Sequence, residues 1–456
     1  MTDRSTIYQP DRYLFYAFLA LMVWLPLPFG ANRPMYWWMS ELGFHVLTLA
    51  WVVLWWRGDV KVTPAFKMAR ISLWLAGFFL VFVALQIWGK IPNITSLDAH
   101  ATENQWLKSL MMFEAFGLSL LLIRSHRRVY LWAITLLLAG TFQAVYGTLI
   151  AITGSDVIWD KVNHAGGSAT GTFVNRNHFA GYLEMTLAIG LGLLIAHLES
   201  SSANTWREHL RRITKTLLGP KVQIRVCLAL MVIGLILSHS RMGNTAFFAS
   251  MLIAGMIGLL LFRNSGRGVV FLFGSLIVID IFLMGAFFGI DKLQERIEKT
   301  DIKQEQRFEA AALTLNIIKD YPVGGTGLGT YYTAFPLYRS ENISIFYDHA
   351  HNDIVEFVSE LGLLGITPLA LIWLLSFYHS IMVQVRRRSQ LMKAVGFAAT
   401  MAMIAIFIHS WTDFNLQISA NAVTFMIILA LPYVAATVNR QSGQSHRRPE
   451  DSPSTR

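Results

Sequence analysis

Charged residues are scarce: Asp, Glu, Lys and Arg make up 14% of the 456 residues, against about a quarter in an ordinary soluble domain. That deficit excludes a soluble globular protein, which needs polar surface toward water on every side. Cysteine is almost absent. The one thiol, Cys227, lies inside an apolar run, so an intramolecular disulfide and a cysteine-based metal cluster are both excluded. There is no internal repeat of the kind that marks many transporters, and no continuous basic stripe. The net charge of +10 is carried by short Lys and Arg clusters between apolar segments, a pattern of membrane topology and not of a nucleic-acid partner.

Apolar residues, in contrast, reach 54% and come in runs of roughly 18 to 25, long enough as helices to cross a hydrocarbon core of about 30 Å. The chain reads as an all-α polytopic membrane protein. Twelve spans are expected, near 13–30, 40–56, 71–88, 106–123, 129–152, 178–196, 224–238, 243–262, 269–290, 354–383, 391–410 and 418–438. With the N-terminus inside, 25 of the 38 Lys and Arg fall in inside segments, and seven of the other 13 sit in one long loop, 291–353. Long loops cross regardless of charge, so both termini are expected in the cytoplasm. Pro26, Pro28 and Phe29 precede Gly30 and Ala31, leaving no small-residue cleavage site, and the first span reads as a retained helix. Tyr36-Trp37-Trp38, Trp55-Trp56 and Trp106 suit an interfacial belt. The organisation is then spans one to nine over 1–290, an outside loop over 291–353 with a helix and the candidate site, spans ten to twelve over 354–438, and a disordered cytoplasmic tail over 439–456.

Three outward stretches depart from plain connections. Residues 154–178 contain Gly167-Ser168-Ala169-Thr170-Gly171-Thr172-Phe173-Val174-Asn175-Arg176-Asn177-His178, where small residues suit a turn that brings backbone close to a ligand, or simply a loop with a capping Asn. Ser238-His239-Ser240-Arg241 joins two spans with almost no loop, placing Arg241 at or just below the outer surface. A cation at that depth faces a polar cavity or partner, or snorkels. In the long loop, Phe308, Ala311, Ala312, Leu315 and Ile318 recur at helical spacing and predict a helix over 291–319 that carries Arg307 and stops at Asp320-Tyr321-Pro322.

Gly324-Gly325-Thr326-Gly327-Leu328-Gly329 follows. It superficially resembles a phosphate loop, but it lacks the Lys-Ser/Thr ending and follows a helix, so it reads as tight turns. Asp348-His349-Ala350-His351-Asn352-Asp353 then leads into the tenth span. His-x-His on an extended segment points both rings to one side. Residue types leave three readings: a divalent-metal site, an imidazole general base oriented by Asp or Asn, and a helix cap by Asn352 or Asp353. Glu114, Glu184 and Asp280 are isolated acids within spans, functional or paired between helices; Glu184, eight residues after Arg176, is placed to share its face.

Gly171-Thr172-Phe173-Val174-Asn175-Arg176-Asn177-His178, Ser240-Arg241, Pro322-x-x-Gly325-x-Gly327-x-Gly329 and His349-x-His351-Asn352, in this order, resemble the O-antigen ligase and O-antigen polymerase superfamily. Its ligase motif is His, then Asn, Ser or Gln, nine residues and Gly-x-x-Gly. Here that is His351-Asn352 and Gly362-Leu363-Leu364-Gly365, with Ile366 where Gly, Thr or Tyr often follows. The resemblance implies a C-type membrane glycosyltransferase of the bacterial inner membrane. It would take a glycan from an undecaprenyl diphosphate donor at the periplasmic face and pass it to a sugar hydroxyl of the lipid A core, in lipopolysaccharide biosynthesis. The transfer would need no nucleotide sugar, cofactor or metal, and would invert the anomeric carbon. Arg241 and Arg307, with Arg176 as a third candidate and Asn177 and His178 beside it, would bind the diphosphate. His351 would take the acceptor proton, Asp348 or Asn352 would orient it, and His349 would support it. The alternatives are a polymerase using the same donor and, from another class, a lipid or polysaccharide transporter.

Overall fold

The computed structural model describes residues 10–155, 157–163, 166–197, 220–261, 302–340, 343 and 347–439. Fourteen helices run through them: α1 (Arg12–Trp24), α2 (Pro34–Trp56), α3 (Pro64–Met68), α4 (Arg70–Trp88), α5 (Ala99–Leu122), α6 (His126–Thr153), α7 (Arg176–Ala196), α8 (Pro220–Leu237), α9 (Arg241–Leu261), α10 (Ile302–Asp320), α11 (Tyr331–Ala334), α12 (Asp353–Arg386), α13 (Gln390–His409) and α14 (Ser419–Thr437). Their starts follow from local chemistry. Thr63, Asp98, Ser125, Asn175 and Asn352 each accept a hydrogen bond from an early helical N–H, and Gly89 and Gly154 end α4 and α6 in the left-handed conformation.

Eight helices, α2, α4, α6, α7, α9, α12, α13 and α14, are long and apolar enough to cross a membrane. The chain is therefore a polytopic helical membrane protein. Each expected span within the described residues coincides with a helix, but α1 has only 13 residues, α5 carries Glu103, Lys108 and Glu114 along its length, and α8 begins with Lys221 and Arg225 in its first six residues. The expected span at 269–290, with Asp280, and the tail beyond Asn439 lie outside the described residues. So does the side chain of Arg307. A two-residue antiparallel pair, β1 (Val157–Ile158) and β2 (Lys161–Val162), was not anticipated; Val157 stands opposite Val162 and Ile158 opposite Lys161.

Helix α7 lies at the centre. Every residue from His178 to Ile195 is buried, as expected for a helix apolar all round. Its Gly192 faces Ala394 and Ala398 of α13, the small-residue contact that lets membrane helices approach closely.

One expectation about the stretch before α12 changes. Helix α10 stops at Asp320 as its Tyr-Pro sequence requires, yet it buries Ala310, Thr314 and Ile317 with Leu313 and Tyr321, not the stripe through Ala312 and Leu315. Leu315 is 48% exposed. Both stripes have helical spacing. The decision falls to Thr314, whose hydroxyl donates to the Ala310 carbonyl at 2.8 Å and meets the Tyr331 hydroxyl at 3.1 Å, so a polar residue can sit inside. With Tyr331, Ala334, Phe335, Ile343, Tyr347 and Ala350, this face forms a small apolar core separate from that of the long helices.

Helix α12 is 34 residues long but breaks at Gly362, where φ is 58° and ψ is −173°. The segment before the break lies in the candidate site, and the segment after it is the membrane helix.

Candidate active site

The glycine-rich loop and the Gly-x-x-Gly motif are two sides of one backbone contact. Gln86 on α4 donates to the carbonyls of Gly324 at 2.6 Å and Glu360 at 3.0 Å, and its own oxygen accepts from Leu328 N at 3.2 Å. Thr326 N and Gly327 N donate to the carbonyls of Ser359 at 3.0 Å and Glu360 at 2.9 Å. The loop's donors are thus committed to protein and not turned toward a phosphate. Contact is so close that a Cβ on Gly325 (φ +67°) would stand 2.2 Å from the Glu360 carbonyl, and one on Gly362 would stand 2.3 Å from that of Val323. This clamp fixes the first turns of α12, and with them the histidine segment just ahead.

The His349–Asn352 segment packs against the α13–α14 connection. It is not extended at its second histidine: His351 has φ +50°, a left-handed conformation that costs a non-glycine residue about 1–2 kcal/mol and that clusters at functional sites. Phe414 lies between three imidazoles, stacked on His349 at 4.3 Å and edge-on to His178 at 4.5 Å and His351 at 4.8 Å. The neighbouring Asp413 is 1% exposed. Its Oδ1 is 3.5 Å from His178 Nε2 and 3.6 Å from His351 Nδ1, and Asn177 Nδ2 donates to its other oxygen. Burial alone would raise the Asp413 carboxyl. The His178 and His351 imidazoles beside it outweigh that cost and hold the carboxyl well below the usual carboxylate range.

His349 has a different partner. Its Nδ1 lies 2.7 Å from Glu356 Oε1, on the first turn of α12. Burial alone would lower this imidazole, but Glu356, with Asp348 and Glu360 adding to it, raises it to about 9.

The Arg176 and Arg241 stretches meet beside this centre. Ala169 N donates to the Leu237 carbonyl at 2.8 Å. The buried Ser168 hydroxyl accepts from Arg176 Nη1 at 3.2 Å and lies 3.3 Å from His239 Nδ1, two residues before Arg241, the first residue of α9. His239, at φ +53°, is a second left-handed histidine. Arg176 and Arg241 are both exposed at their helix starts.

The structure therefore gathers His178, Asn177, His349 and His351 around Asp413 and Phe414, with Arg176 two residues before His178 and linked through Ser168 to the Arg241 turn. Asp348 is exposed. Asn352 caps α12 through Val355 N at 3.1 Å and donates to the Trp411 carbonyl at 2.9 Å, so the carboxylate beside His351 is Asp413 and not a residue of its own segment. Glu184 does not share a face with Arg176: it is fully buried, 2.7 Å from His409 Nδ1. Glu114 pairs with His45 at 2.6 Å. Among the described residues, no three His, Cys, Asp or Glu side chains are set to hold a metal ion.

Sequence reasoning passed over Asp413, Phe414, Glu356 and Gln417. One available signal was an acid in the short Trp411-Thr412-Asp413-Phe414-Asn415 connection, at the same membrane side as the histidine segment.

Helix starts of α7, α9, α12 and α14 and the end of α13 thus build one polar centre at one end of a membrane-spanning bundle. Residues 226–370 match the family described as O-antigen ligase, which bears out the resemblance carried by the motifs. The matched segment contains Arg241, the glycine-rich loop, the histidine segment and Gly362–Gly365. No curated protein matches the chain.

Proposed function

We propose that this protein transfers a glycan from undecaprenyl diphosphate to a sugar hydroxyl of the lipid A core, at the periplasmic face of the bacterial inner membrane, with both termini in the cytoplasm. The observation that carries this reading is the convergence of three stretches distant in sequence, around Arg176, Arg241 and His351, on one end of the bundle. The donor already has a good leaving group. The protein must therefore stabilise the charge that develops on the diphosphate and activate an acceptor hydroxyl.

Arg241 and Arg176 suit the first task, because guanidinium groups pair bidentately with phosphate oxygens; Arg307 joins them on the strength of the resemblance. His351 takes the acceptor proton, and Asp413 beside its Nδ1 orients the ring, leaving Nε2 to the acceptor. The twelve-span count and the division into spans 1–290, loop 291–353, spans 354–438 and tail 439–456 belong to this same proposal.

The test supplies purified protein with lipid-linked glycan and either lipid A core or a second lipid-linked glycan, with and without EDTA. Transfer to the core, unaffected by chelator, is the expected result. Joining of two lipid-linked glycans instead would make the protein a polymerase, and chelator sensitivity would restore the metal reading. His351→Ala is expected to abolish transfer in a folded, inserted protein, and full activity there would remove His351 from the mechanism.

A further inference from the structure

His349 and His351 touch one phenyl ring but have different partners. Glu356 Oε1 is 2.7 Å from His349 Nδ1 and accepts from Gln417 Nε2 at 3.0 Å, while Oε2 accepts from Ala350 N at 2.7 Å. Glu356 itself is 1% exposed. A carboxylate held by two other donors fixes the imidazole in turn: Nδ1 must present its hydrogen to Glu356, since a carboxylate only accepts. Phe414, stacked at an interplanar angle of 23°, sets the ring plane. With Nδ1 committed inward, Nε2 points away from Glu356, and the side chain keeps 26% of its surface exposed.

We propose that His349 Nε2–H is a binding site for a phosphoryl oxygen, donating a charge-assisted hydrogen bond to the diphosphate as it departs. This rests on the transfer reaction above and assigns its second histidine. In that reaction the bond from the anomeric carbon to the phosphate oxygen breaks, and its electron pair passes to that oxygen. A bond from the acceptor oxygen to the same carbon forms, and the acceptor proton goes to His351. His349 keeps both ring hydrogens throughout.

The groups facing His349 favour that state: Glu356 and Glu360 on α12 and Asp348 on its own segment hold the imidazole protonated up to about 9, against the opposing effect of burial. His178 on α7 also faces it, as does Phe414 on the α13–α14 connection. Because three donors already match Glu356, its negative charge is taken up within the protein, and the outward N–H remains available to an anion.

The experiment measures the affinity of the full-length protein in detergent for undecaprenyl diphosphate, with undecaprenyl monophosphate as comparison, at pH 7 and pH 10. His349→Gln is expected to bind the diphosphate roughly 10–100-fold more weakly at pH 7. The wild type should lose a similar factor on passing to pH 10, and His349→Gln should not. Glu356→Gln should shift the wild-type loss to lower pH. Equal affinity of His349→Gln and wild type at pH 7, or an alkaline loss that persists in His349→Gln, overturns the proposal. Glycan transfer by the same wild-type preparation is measured in parallel. Absence of transfer counts against the reaction, whereas the binding comparison decides His349 by itself.

Discussion

At the scale of single residues, Asp413 has the most consequence for its size. It is buried, takes three side-chain neighbours from two other stretches of chain, and stands where His351 needs an orienting acceptor. Asp413→Asn keeps the volume but reverses half of the hydrogen-bonding character, so it should lower glycan transfer by roughly 10²–10⁴-fold; because the carboxyl is held well below its usual range, the variant should also melt lower than wild type above pH 5, with a gap that narrows in acid, and near-normal turnover would deny Asp413 its orienting role. His349 gives a pH dependence of known sign. Its imidazole is raised in the fold to about 9, so its contribution to stability is complete below the ordinary histidine range and is lost as pH rises through 9. The difference in melting temperature between wild type and His349→Gln should accordingly shrink between pH 6 and pH 10, and a difference that grows would contradict the His349–Glu356 pairing. Asn352→Ala removes a helix cap and the bond to Trp411, a loss of about 1–2 kcal/mol in unfolding experiments.

At the scale of elements, the contact between the glycine-rich loop and α12 governs the site without joining its chemistry. Helix α12 must break at Gly362 to turn its first turns toward Phe414, and the break is filled by the backbone of residues 323–325. A methyl group at Gly325 or Gly362 would meet backbone carbonyls at 2.2 Å or 2.3 Å, and backbone cannot swing away as a side chain can. Gly325→Ala and Gly362→Ala should each lower the melting temperature and reduce transfer. Gly154→Ala, also left-handed at φ +65° but with nothing within 4 Å, should cost only about 1–2 kcal/mol and leave transfer intact. Equal effects at all three positions would show that backbone conformation, and not the loop–helix contact, is what matters.

At the scale of the whole molecule, the proposal requires the polar centre and the basic clusters to face opposite sides of the membrane. Cys227 is the only native thiol, so a Cys227→Ser protein is a clean background for labelling. Cysteine at the exposed position 348 should react with an impermeant maleimide from the periplasm. Cysteine at the exposed position 388, in the cluster after α12, should react only once the inner membrane is opened. The reverse pattern would place the centre in the cytoplasm and end the proposed reaction.

The sequence by itself determined that the chain is a helical membrane protein, roughly where its long described helices lie, and which stretches carry unusual residues, because hydropathy, capping residues and glycine placement are local properties that act over a few turns; the short helices α3 and α11 were not among them. It also carried the family resemblance, since Arg176, Arg241 and His351 sit in short recognisable strings. What only the tertiary structure decided is who meets whom. Periodicity could not tell the Leu315 face of α10 from the Thr314 face, because both have helical spacing and Thr314 meets Tyr331 only in the folded chain. Neither could it pair Glu184 with His409, nor bring Asp413 to His351, since these residues are far apart in the chain and only the packing of α7, α12 and α13 joins them.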